Sequence, residues 1–175
     1  MFVGDLRRDK GLYVLLEAYA GIKDAPPLVL IGKPWPDTPE VLPPNVTVLT
    51  NWPNYAVMEA WRRSSVALVP SIWPEPCATV VIEAMVSGSP VIATRIGGNP
   101  DMVVDGQTGI LVPEGDSLAL RNAIERLIND EPLRIQMAKA ARCRAHEFQS
   151  DSVIPRIESV YESLVESTRL SFSRS

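Results

Sequence analysis

Short, nearly continuous apolar runs alternate along this chain with stretches whose apolar residues recur at helical spacing. That alternation predicts a parallel β-sheet wrapped by helices. Strands are expected at 1–3, 28–31, 46–49, 66–69, 90–94 and 110–112. Leu12, Leu15, Leu16 and Tyr19 define one apolar face of a helix over 11–20, closed by Pro26-Pro27. Asn54 is placed to cap a second helix whose Met58 and Trp61 face the core, and Thr79 to cap a third over 79–86. Gly97-Gly98-Asn99-Pro100 reads as loop, and Gly106 and Gly109 bracket a tight turn before the last strand. Asp116 caps a helix carrying Leu118, Ile124 and Leu127. Two more helices follow, over 132–147 and 152–170, with the last turns and the tail from Ser171 onward expected to fray. The fold class is therefore α/β, a doubly wound parallel sheet of Rossmann-like type with a helical C-terminal extension: 1–150 form the domain and 151–175 a terminal helix and tail.

A chain of 175 residues holds one domain with a sizeable core. It is 46% hydrophobic and 22% charged, a globular balance, and no apolar run is long enough to span a bilayer. Met1-Phe2-Val3-Gly4-Asp5 lacks the basic flank and apolar core of a signal peptide. It reads as the end of a strand, as in a fragment or excised domain. A net charge of −4 argues against a general nucleic-acid binder, though Arg7, Arg8 and Lys10 form a local cluster suited to one small anion. Cys77 and Cys143 show neither zinc spacing nor a disulfide framework, consistent with a reducing cytoplasm. The single histidine, His146, reads as a solvated side chain near a helix C-terminus, and no metal site is expected. Asn45-Val46-Thr47 matches a glycosylation triplet, which without an export signal carries no weight.

Ligands of open α/β sheets bind beyond the carboxyl ends of the strands, so the loops there are the candidate site. In the loop 4–11, Gly4 and Gly11 permit close backbone approach, and its cations can neutralise a diphosphate. Neither G-x-x-x-x-G-K-[ST] nor G-x-G-x-x-G is present, which excludes a P-loop and leaves a dinucleotide site unsupported. The loop ending Glu75-Pro76-Cys77-Ala78 leads into a helix whose first N–H groups, on Thr79, Val80 and Val81, form an anion site. Glu83, in the apolar setting of Val81, Ile82, Ala84 and Met85, has two open readings. It is either a surface partner of the helix dipole or a carboxylate held to accept ribose hydroxyls. The paired glycines Gly97 and Gly98 would give room for a ligand, with Asp101 capping the turn beyond.

Together these segments resemble the group 1, or family-4, retaining glycosyltransferases of the two-domain GT-B type. Glu75 and Glu83 have the family's E-x7-E spacing, flanked by Pro70-Ser71, Glu83-Ala84-Met85, Gly88 and Pro90 to Thr94. Val104-Asp105-Gly106-Gln107-Thr108-Gly109-Ile110-Leu111-Val112 is similar to its DGxTGxLV segment. Val3-Gly4, Lys10-Gly11 and Leu15-Leu16-Glu17-Ala18 are similar to its opening motif. The resemblance implies the C-terminal, donor-binding half of such an enzyme, with a nucleotide-diphosphate sugar as substrate and no cofactor or metal. Glu75 would contact the donor sugar and orient its anomeric centre, and Lys10 would stabilise the departing diphosphate. Glu83 would hold the ribose and the backbone at Thr79 and Val80 the distal phosphate. Gly4, Arg7, Arg8, Cys77 and Ala78 would line the donor site, and Thr50 and Asn51 would seat the base. Acceptor contacts would come from a separate N-terminal domain, so the chain alone is expected to be inactive, and any membrane contact would run through that other half. A free-standing nucleotide-sugar-binding subunit is the alternative, and an epimerase of the same fold ranks lower because those enzymes need acid and base groups from both domains. Two departures stand out: Asp5 where the family has arginine, and Cys77-Ala78 where it has Phe-Gly.

Overall fold

The computed structural model describes the backbone of residues 1–172 and the side chains of residues 1–166. The described residues form six parallel strands. These are β1 (Phe2–Val3), β2 (Leu28–Ile31), β3 (Val46–Leu49), β4 (Ala67–Val69), β5 (Val91–Thr94) and β6 (Gly109–Val112). The helices are α1 (Leu12–Ala20), α2 (Asn54–Arg63), α3 (Thr79–Ser87), α4 (Asn99–Met102), α5 (Ser117–Asn129), α6 (Glu131–Ala145) and α7 (Ser150–Phe172). Short 3-10 turns occupy Arg8–Lys10 and His146–Phe148.

The sheet order is β3-β2-β1-β4-β5-β6. The first half winds outward from β1 to β3. The chain then crosses back to lay β4 on the other side of β1 and winds outward again through β5 and β6. Register keeps like faces together: Phe2 lies beside Leu30 and Leu68, and Leu68 beside Ile92. Those residues form one core with Leu12, Leu15, Leu16 and Tyr19 of α1 and Leu120, Ile124 and Leu127 of α5. The alternate positions Ile31, Val69, Ala93 and Leu111 face the second core, built with Val57 and Trp61 of α2, Val81, Ala84 and Met85 of α3, and Ala141 and Ala145 of α6. Helices on both faces explain why the strands are apolar without alternation.

Asp116 caps α5 as expected, its carboxylate accepting from Ala119 N–H at 2.8 Å, and Asp130 does the same for α6 through Leu133 at 2.9 Å. Some expectations need correction. Asn54 and Thr79 are not caps: each is the first helical residue, and the cap positions belong to Pro53 and Ala78, which offer no side-chain acceptor. Met58 packs half-buried against the core beside the fully buried Trp61, as expected, and Val57, four residues before Trp61 on the same helix face, joins them. Leu118 is 59% exposed, the apolar face of α5 being carried by Leu120, Ala123, Ile124 and Leu127. Asn99 and Pro100 open α4 rather than lying in a loop, with Pro100 at the start where its missing N–H costs nothing, and Asp101 is inside that helix and not a cap. His146 is exposed at the C-terminal end of α6, as read from sequence. α7 runs through Ser171 to Phe172, so the expected fraying falls mainly on 173–175, which lie outside the described residues. Among the described residues no helix is long and apolar enough to cross a membrane.

Candidate functional site

The order of strands reverses between β1 and β4. The loops leaving these two strands therefore diverge to opposite faces and leave a crevice at the carboxyl edge, the usual ligand position in such sheets. Local sequence then decides which side chains enter it.

In the loop after β1, Gly4 adopts φ 147° and its N–H donates to Ile31 O at 3.0 Å. Leu6 is fully buried and its N–H donates to Lys33 O at 2.8 Å, tying the loop to the one that follows β2. The 3-10 turn ends at Gly11, whose φ of 76° is left-handed and where any Cβ would overlap the carbonyl of Pro70. Gly11 thus allows the first loop to press directly on the start of the loop after β4. Ile72 N–H donates to Asp9 O at 2.9 Å and closes the seam.

That packing sorts the three cations. Lys10 turns toward β4 and its Nζ lies 2.6 Å from Glu75 Oε1, with the two side chains 30% and 24% exposed. Arg7 turns the other way, pairing with Asp9 at 2.5 Å and lying 4.7 Å from the centroid of the Trp35 ring. Arg8 stacks on Tyr13 at 4.4 Å, while its backbone N–H donates to Asp37 Oδ2 at 2.9 Å. The structure brings Lys10 and Glu75 together and sends Arg7 and Arg8 toward the loop after β2.

The loop after β4 is shaped from beneath by Gly97 and Gly98. A Cβ at Gly97 would lie 2.8 Å from Glu75 N, and one at Gly98 would lie 2.9 Å from the Pro76 carbonyl carbon and overlap its oxygen. Gly98 N–H also donates to Glu75 O at 2.8 Å. The expectation that this pair gives room for a ligand is corrected: the room is filled by the Glu75–Pro76 backbone. Ser71, which the sequence reading named without a role, is buried below Glu75 and reaches it with its hydroxyl at 3.1 Å.

Beyond Glu75 the chain passes the exposed thiol of Cys77 and the buried Ala78 into α3. Val81 N–H donates to Ala78 O at 2.9 Å, so only Thr79 and Val80 keep N–H groups without a described acceptor. The expected set of three amides is thereby reduced to two. Glu83 is one turn further along α3, on the same face as Thr79, half-buried and with no hydrogen bond or ion pair among the described residues. Thr50 and Asn51 follow β3 at the end of the sheet, both exposed, Asn51 with φ 58°. No described bond links them to the Lys10–Glu75 pair. A separate apolar groove of about 670 Å³ is lined by Met1, Leu28, Trp52, Tyr55, Val66 and Ile124 among others, and none of Lys10, Ser71, Glu75 or Glu83 borders it. No group of three or more His, Cys, Asp or Glu suited to a metal occurs among the described residues.

Residues 1–144 match the family profile described as glycosyl transferases group 1. A D-inositol 3-phosphate glycosyltransferase of Corynebacterium diphtheriae is 34% identical over 176 aligned positions, covering 91% of this chain and 41% of that protein. Sucrose-phosphate synthase from Thermosynechococcus elongatus superposes with a TM-score of 0.81 at 29% identity, over 95% of this chain and 46% of the other. HepE from Anabaena, solved in complex with UDP, gives 0.82 at 25% identity, over 93% of this chain and 48% of the other. The chain thus spans less than half the length of each of these proteins.

Proposed function

Because the chain belongs to the group 1 glycosyltransferases, we propose that it binds a nucleotide-diphosphate sugar in the crevice between the β1 and β4 loops and supplies the donor-side groups for retaining transfer of a hexose. The observation that carries this reading is the Lys10–Glu75 contact of 2.6 Å at the switch point, beside the amino end of α3. The similar HepE was solved in complex with UDP, which supports a nucleotide as the ligand.

Breaking a sugar–phosphate bond builds negative charge on the leaving diphosphate and positive charge at the anomeric carbon. Lys10 and the Thr79 and Val80 amides answer the first, the amides holding the distal phosphate. A preorganised donor of this kind is typically worth about 3 kcal/mol of barrier. Glu75 accepts hydroxyls of the donor sugar and orients the anomeric centre, and Glu83 accepts the ribose hydroxyls. Gly4 lets the backbone approach the donor, Cys77 and Ala78 border the sugar, and Thr50 and Asn51 seat the base. The protein supplies the positive potential itself, so the reaction runs without a metal. The acceptor attacks from the face the leaving group vacates and is held by an N-terminal domain or partner subunit in the cytoplasm.

Isothermal titration of the chain with UDP, GDP and ADP tests the reading. Binding of one of them at high micromolar strength is expected, with no sugar transfer by the chain alone. Unchanged affinity in Glu83→Ala would refute the ribose assignment, and absence of binding to all three would refute the donor site.

A further inference from the structure

Under the crevice runs a column of buried polar side chains that the donor contacts do not use. Asn99 Nδ2 donates to Thr94 O at 3.0 Å, and Thr94 Oγ1 donates to Ser71 O at 2.6 Å. Ser71 Oγ then lies 3.1 Å from Glu75 Oε1, 3.1 Å from Asp9 O and 3.3 Å from Trp73 O. Ser71 is 3% exposed and Thr94 1%. The column passes from α4 through the end of β5 to the end of β4, joining the same loops that build the crevice.

The geometry points to Ser71 and Thr94 as positioning residues that act through Glu75, fixing which carboxylate oxygen faces the donor sugar. Ser71 and Lys10 both reach Oε1. In the free chain two donors share this oxygen, and once a diphosphate draws Lys10 away Ser71 remains on it, setting the rotation of the carboxylate and leaving Oε2, which has no described partner, for a sugar hydroxyl. A serine hydroxyl carries a single proton, which Asp9 O and Trp73 O also compete for. Thr94 decides that competition indirectly: by holding Ser71 O it fixes the backbone from which Oγ projects. A serine needed only to close the loop would be satisfied by either carbonyl and would leave Glu75 held by Lys10 alone.

The inference rests on the reading that Glu75 contacts the donor sugar, and it is tested with UDP and UDP-glucose titrated against the same chain. Ser71→Ala is expected to weaken UDP-glucose by about tenfold, the lower end for a hydrogen bond to a charged group, while UDP itself changes by less than about twofold. Thr94→Val, nearly isosteric but without the hydroxyl, should narrow the difference between the two ligands in the same direction, and Thr94→Ser should restore it. Circular dichroism establishes that each variant is folded. Equal weakening of both ligands, or none in a folded Ser71→Ala, overturns the positioning role. If Ser71→Ala does not fold, the Thr94 pair decides: equal behaviour of Thr94→Val and Thr94→Ser overturns it. Where GDP or ADP is the nucleotide that binds, it and its glucose ester replace UDP and UDP-glucose in the same comparison; wild-type chain that binds none of the three nucleotides overturns the donor site itself, and this inference with it.

Discussion

Gly98→Ala is the most informative single change, because it perturbs the crevice without touching any group assigned to the donor. Gly98 has φ −82°, which alanine adopts without strain, so the whole effect comes from the added methyl. That methyl would meet backbone and not a movable side chain: the Pro76 carbonyl carbon at 2.9 Å and its oxygen closer still, below the 3.0 Å that Cβ atoms respect. The Glu75–Pro76 segment must retreat by on the order of 1 Å, at a cost of about 1–3 kcal/mol for an overpacked site. In a chain of 175 residues this lowers Tm by roughly 2–4 °C per kcal/mol. The retreat also stretches the Gly98 N–H to Glu75 O bond and carries Glu75 away from Lys10, and a displacement of about 1 Å at a reacting group can lower rate a hundredfold. Gly115→Ala is the control: nothing lies within 4 Å of its Cβ, but φ is 69°, so it costs roughly 1–2 kcal/mol from left-handed backbone alone. Urea unfolding should therefore show both variants destabilised, while UDP-glucose titration should show only Gly98→Ala impaired. If Gly98→Ala binds UDP-glucose like wild type, or loses no stability, the claim that Gly97–Gly98 shapes the Glu75 loop is refuted.

Asp116→Ala removes the acceptor for Ala119 N–H at the start of α5 and should cost about 1 kcal/mol in urea unfolding with m unchanged. Trp61 is fully buried yet its Nε1 has no partner among the described residues, so Trp61→Phe should cost less than about 2 kcal/mol while Trp61→Ala costs about 3–5 in the same assay.

The sheet was legible because both of its faces are covered, which makes strands stand out as short uninterrupted apolar runs such as Leu28–Ile31 and Val91–Thr94. The helix starts at Asn54 and Thr79 were displaced by one residue for a simple reason. A polar residue beside a helix boundary signals a cap, but whether it or its predecessor takes the extended conformation is set by the incoming loop, here by Pro53 and Ala78. The E-x7-E spacing singles out Glu75 and Glu83 as candidates, and the basic loop Lys10. What no local pattern encodes is which cation reaches which carboxylate. Arg7 is drawn away by Asp9 and by Trp35 of the loop after β2, and Arg8 by Tyr13 of α1, whose hydroxyl donates to Asp37 O of that same loop. Gly97 and Gly98 were misread for the same reason: a glycine pair says that something comes close, not whether it is ligand or chain.

These placements give the Asp5 departure a physical consequence. With an acid following Gly4, and with Arg7 and Arg8 stacked on aromatic rings, Lys10 is the cation of this loop that faces Glu75. It already holds Glu75 Oε1, a half-buried contact in which each charge offsets part of the other's lost hydration. A donor entering this crevice must therefore trade one interaction for another, the diphosphate taking Lys10 while sugar hydroxyls take Glu75. Because the exchange replaces an existing ion pair, the net gain on binding is smaller than the same contacts would give to an unpaired lysine. The two α3 amides have no ion pair to break: among the described residues Thr79 and Val80 N–H have no acceptor, and at a helix end they exchange only water for the donor. Donor affinity in this chain is for that reason expected to depend more on the helix end than on Lys10, and the lysine's weight to fall on the step in which charge builds on the leaving diphosphate.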